Sequence, residues 1–107
     1  MMTSQIHSEA VQAASKATND YIAKHGYQPF NCGFAWVSSS EKGNTALGKS
    51  LKQFGFEKSY SGGYQLWNPS NSFTQDMSAK YEGARAYVDT VKKYLPSIKL
   101  TVGSRLD

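Results

Sequence analysis

The chain has 107 residues, room for one hydrophobic core but not two. Hydrophobic residues make up 39% and charged residues 19%, which fits a folded protein and excludes a disordered one. The formal net charge of +4 suits an anionic partner but is small for one that tracks a long nucleic acid, and no apolar run reaches the roughly 18–20 residues of a membrane span. One cysteine, Cys32, leaves no internal disulfide, and the first residues lack the basic-then-apolar order of a signal peptide, so the expected compartment is the cytoplasm.

Residues 4–25 read as an amphipathic helix. Ile6, Ala10, Ala13, Ala17 and Tyr21 recur at three- and four-residue steps, Thr3 or Ser4 caps the start, and Gly26 gives the left-handed stop. Its alanine-rich face suits close packing or a homodimer contact. After a connector at 27–31, residues 32–37 are the clearest strand. Cys32, Phe34 and Trp36 point one way and Gly33, Ala35 and Val37 the other. Both sides are apolar, which predicts a central strand buried on both faces, with the small-residue side under a helix.

A polar loop at 38–43 leads to a short helix over 44–54, with Leu47, Leu51 and Phe54 on one side. Residues 56–60 and 64–67 follow as strands around Ser61, Gly62 and Gly63, and Pro69 stops the second. A polar loop with Phe73 precedes a helix over 76–95, whose seam is Met77, Tyr81, Ala84, Val88, Val91 and Leu95. Asp76 or Ser78 caps it and Pro96 ends it. Ile98, Leu100 and Val102 alternate as a last strand, and residues 103–107 read as a flexible tail. The expectation is one α+β domain over 1–107, in the order α-β-α-β-β-α-β, with three helices on one face of a small, mainly antiparallel sheet.

Residues 43–50, GNTALGKS, match the phosphate-binding loop pattern letter for letter. That loop must join a buried strand directly to a long helix. Here five polar residues separate strand from glycine, Gly55 cuts the helix short, and no apolar run ending in aspartate follows to hold magnesium. The expected structure is an ordinary helix start. His7 and His25 are 18 positions apart, about five helical turns, too far to share a metal ion. Cys32 sits in the most apolar strand and reads as a structural thiol. With no acid–base, nucleophilic or metal constellation, no catalytic residue, metal or cofactor is assigned, and binding is favoured over catalysis.

The distinctive stretch is 60–70, YSGGYQLWNPS, with two tyrosines, a tryptophan and two glycines among amide and hydroxyl side chains. Aromatic faces stack on bases, and nearby cations pair with phosphate. The candidate site is therefore Tyr60, Tyr64 and Trp67 for stacking. Lys58, Lys80 and Arg85 supply charge, and Asn68, Ser70 and Gln75 supply hydrogen bonds. The plainer alternative makes Tyr64, Leu66 and Trp67 core residues.

The segments CGFAWV at 32–37, GGYQLWNPS at 62–70 and EGARA at 82–86 together resemble a group of small accessory proteins encoded by tailed bacteriophages. The likeness spans about residues 5–95, and residues 38–50 are longer and more polar than that pattern. It implies the cytoplasm of an infected host cell and action on the host, including on its defence signals, but assigns no catalytic residue. Three functions stay open. The first is a non-catalytic binder of a small anionic nucleotide-type ligand, sequestering a defence signal. The second is a protein–protein inhibitor of a host factor. The third is a single-stranded nucleic-acid binder.

Overall fold

The computed structural model describes residues 2–26, 32–59, 62–70 and 76–106. Three helices and four strands follow one another as α1 (Ser4–His25), β1 (Gly33–Ser39), α2 (Ala46–Gln53), β2 (Glu57–Lys58), β3 (Tyr64–Trp67), α3 (Met77–Tyr94) and β4 (Leu100–Leu106). The expected α-β-α-β-β-α-β order holds. The strands form one antiparallel sheet in the order β2-β3-β1-β4, which makes β1 central.

Local chemistry sets the helix ends. The Thr3 side chain accepts the Ile6 amide, Thr45 accepts that of Gly48, and Asp76 accepts those of Ser78 and Ala79. At the far end of α1, Gly26 takes φ 74° and returns its amide to the Ile22 carbonyl. The β2–β3 turn uses Gly62 and Gly63 at φ 93° and 72°, where other residues are strained.

The core lies between the sheet and the helices. Gly33, Ala35, Val37 and Ser39 form the buried side of β1, and α3 crosses β1 and β4 on that side. Helix α1 packs mainly along α3, through Ala10, Ala14 and Thr18. A Cβ at Gly83 would overlap the Thr18 hydroxyl and press on Ser70, so the two helices meet at the distance only glycine permits. Thr18 satisfies its buried hydroxyl by donating to the Ala79 carbonyl at 2.8 Å. The buried stripe of α1 is Ile6, Ala10, Ala14 and Thr18, so close packing is what its small residues serve, while Ala13 and Ala17 of the expected face are only half-buried.

Helix α3 carries two stripes. Ala84, Val88 and Val91 match the expected seam, and Ala79, Gly83 and Tyr87 are buried as well, because the helix is sandwiched between α1 and the sheet. Tyr87 is fully buried, with its hydroxyl 2.8 Å from His7 Nδ1, and the His7 ring stacks on Phe54.

Two expectations are corrected. β1 is not buried on both faces, since Phe34 is 37% exposed on the side away from the helices. Residues 103–106 are not a tail but the second half of β4, paired with β1 as far as Leu106 opposite Gly33. Alternation past Val102 was hidden by Gly103 and Ser104, which carry no apolar signal. The connector at 27–31, Tyr60, Ser61 and the loop at 71–75, which includes Phe73 and Gln75, lie outside the described residues. Among the described residues no helix is long and apolar enough to cross a membrane.

Candidate aromatic binding face

The side of the sheet away from the helices collects residues by register. Trp36 pairs with Trp67 on β3 and with Gly103 on β4; Ser38 pairs with Gln65 and Thr101; Phe34 pairs with Arg105. Opposed residues of an antiparallel pair share a face, so Phe34, Trp36, Trp67, Gln65 and Arg105 lie together.

The three aromatic rings form one cluster. The Trp36 and Trp67 centroids are 4.8 Å apart at 39°, and Phe34 meets Trp67 edge-on at 6.0 Å. Trp67 is 45% exposed and Phe34 37%, so a large part of this surface meets water. Large apolar side chains gathered in the open mark binding surfaces more often than scattered ones do. The Trp36 indole lies across the backbone of the neighbouring strand, where a Cβ at Gly103 would overlap it. Glycine at that position leaves room for the ring against the strand.

Two cations border Phe34. The Arg105 guanidinium stands 5.9 Å from the ring centroid and the Lys80 ammonium 5.6 Å. Lys80 reaches there from the start of α3 and donates to the Gly33 carbonyl at 3.0 Å. That bond fixes the ammonium and leaves it two further donors.

The expected site residues scatter around this geometry. Trp67 and Lys80 belong to the aromatic face. Tyr64 lies on the opposite side of the sheet, packed on the core, with Lys52 5.8 Å from its ring. Lys58, its cross-strand partner, is exposed on that same side of edge strand β2. Asn68 turns the chain after β3 at φ 48°, donates its amide to the Ala35 carbonyl, and accepts the Ser70 hydroxyl at 3.3 Å. Ser70 is buried beneath α3. Arg85 projects from α3 beside Glu82, 3.7 Å away. Tyr60 and Gln75 lie outside the described residues. Phe34, Trp36, Gly103 and Arg105 were not singled out for the site.

The phosphate-loop pattern is spent on a helix cap. The Gly48 amide donates to Thr45, and Gly48 packs so tightly on the Lys42 carbonyl that no side chain fits there. Ser50 is buried, donating to the Leu47 carbonyl and accepting the Met2 amide. A strand ending at Ser39 and an eight-residue α2 do not build the phosphate cradle.

Among the described residues, three cavities of about 320–340 Å³ lie elsewhere. One is lined by Leu47 and the turn from Tyr94 to Ile98, the second lies beside it along Ser40, Lys42 and Lys99, and the third is bounded by Tyr21, His25 and Glu82. None includes a ring of the open face. Among the described residues, no group of three His, Cys, Asp or Glu side chains is placed to hold a metal ion.

Comparison of the chain with protein-family models, with curated protein sequences and with solved structures gave no significant match.

Proposed function

We propose that this protein is a non-catalytic binder of nucleotide-class ligands, which stack their bases on Phe34, Trp36 and Trp67 while Lys80 and Arg105 meet the phosphates. The observation that carries this is the exposed cluster of three rings with two cations within 6 Å of one of them. Every base has a π-face, so such a cluster accepts bases with little sequence preference, each stack contributing about 1–3 kcal/mol.

Within that class, a short single strand fits better than a mononucleotide. Pockets for small ligands enclose most of the ligand, whereas this surface is a sheet face open to solvent. A four-stranded sheet displaying aromatic residues on its uncovered side is a general solution for holding splayed bases. In the setting implied by the likeness to phage accessory proteins, the strand comes from the infected host or from the phage itself.

Calorimetric titration with short oligothymidylate and oligouridylate tests the proposal, with duplex DNA and a cyclic dinucleotide as comparators. Single strands bind, and Trp67→Ala weakens them about tenfold or more. With two cations engaged, the logarithm of affinity falls with the logarithm of salt at a slope of about −1.4. Tight binding of the cyclic dinucleotide alone would return the assignment to a sequestered small signal. No heat with any of these ligands, or affinities untouched by Trp67→Ala, would overturn it.

A further inference from the structure

The two edges of the sheet differ sharply. One edge, β2, has two residues, and both are charged. Short, charged edges are how folded proteins discourage strands from pairing with a neighbour. The other edge, β4, runs seven residues, Leu-Thr-Val-Gly-Ser-Arg-Leu, with no proline, no lysine and a single charge at Arg105. It is paired with β1 along its whole length, so its register is regular and unbulged. Among the described residues, no backbone group outside β1 bonds to it. The strand thus offers a straight row of outward N–H and C=O groups without the usual protection.

We infer that β4 is a homodimer interface, pairing antiparallel with β4 of a second copy to give a continuous eight-stranded sheet. Gly103 is the midpoint of the strand, so a twofold axis there overlaps all seven residues. The strand is complementary to itself in this register. Thr101 of each copy faces Arg105 of the other, Val102 faces Ser104, and Leu100 faces Leu106. No two like charges oppose each other, a condition that an unprotected edge must meet for self-pairing.

Leu106 gives the second, independent reason. It is 58% exposed, an apolar side chain on the helix side of the sheet at the end of an edge strand. Leu100 at the other end is buried at the rim of the core. Pairing places each Leu106 beside the partner copy's Leu100, extending the core across the axis and removing apolar surface from water. On the other side, each Trp36 lies over its own Gly103. The axis therefore brings the two indoles side by side and joins two three-ring clusters into one strip. This second consequence rests on the proposed function; the dimer itself does not.

Native mass spectrometry and light scattering of the ligand-free chain read the assembly directly. The expected mass is twice the 11.8 kDa of one chain. Thr101→Lys places a lysine opposite the partner copy's Arg105 at two symmetric points and weakens the dimer about tenfold. Adding Arg105→Glu restores opposite charges and recovers it. Both positions are exposed, so the monomer fold tolerates the changes. A monomeric wild-type chain at millimolar concentration overturns the inference. So does a dimer indifferent to Thr101→Lys, or one that the double variant fails to rescue. Because no ligand is present, failure here leaves the stacking proposal standing, and failure of oligonucleotide binding leaves the dimer standing.

Discussion

The two faces of the sheet reverse the usual placement of large and small residues. Beneath the helices, β1 presents Gly33, Ala35 and Val37; toward solvent it presents Phe34 and Trp36, joined by Trp67. Helix α3 comes so close to β1 that a Cβ at Gly33 would touch the Met77 side chain as well as the β4 backbone. Small side chains are thus the condition for the helix to dock. The bulk that closes the core comes from the helical side, above all from Tyr87. One face was built for closeness, and the other displays rings that the core did not need.

That contrast is broken most strongly at Tyr87. Tyr87→Ala empties a fully buried site and should cost about 3–5 kcal/mol, read as a lower urea midpoint by circular dichroism. Trp67→Ala, on the exposed face, should cost stability under about 1 kcal/mol while weakening oligonucleotide binding about tenfold or more. Equal destabilisation by the two changes would mean that the aromatic face is part of the core.

How far this was legible depends on the residue. The helices could be read to within two residues because their signals are local: Thr3 and Asp76 cap, Gly26 and Pro96 stop. The orientation of β1 was legible, because Gly33 and Ala35 leave room for a helix on their side; the exposure of the other side was not, since Phe34 and Trp36 are as apolar as a buried face would be. Tyr64 and Trp67 were grouped as one site by closeness in sequence. They are three positions apart, and in a strand an odd separation puts side chains on opposite faces. That arithmetic was available and separates them without any structure. Arg105 was hidden for another reason: the strand that carries it is held by pairing with β1 and not by its own hydrophobic alternation.

A smaller effect is expected at Gly103. Gly103→Val inserts a branched side chain where the Trp36 indole rests, lifting the ring and lowering oligonucleotide affinity about tenfold, with a stability loss of about 1–2 kcal/mol. Unchanged affinity would show that the seat of Trp36 against Gly103 is irrelevant to binding.

The mildest test concerns His7 on the covered side. Partial burial holds its pKa below that of a free imidazole. As pH falls, the unfolded chain therefore takes up this proton before the folded one. Stability that is complete above about pH 6.5 is lost as the pH drops toward the folded value. The melting temperature should decline over that window in the wild type and more weakly in His7→Gln. Parallel declines in both would assign the acid sensitivity to other groups.

The chain has two tryptophans, and both stand on the aromatic face. Its intrinsic fluorescence is therefore an optical probe confined to one surface. Quenching or a shift in emission reports what touches the open sheet, with no dye attached. The same property sets a trap, because an unfolding curve followed by indole emission alone watches the edge of the molecule and not its centre. Melting of α1 can pass unseen in that signal while amide circular dichroism registers the lost helix.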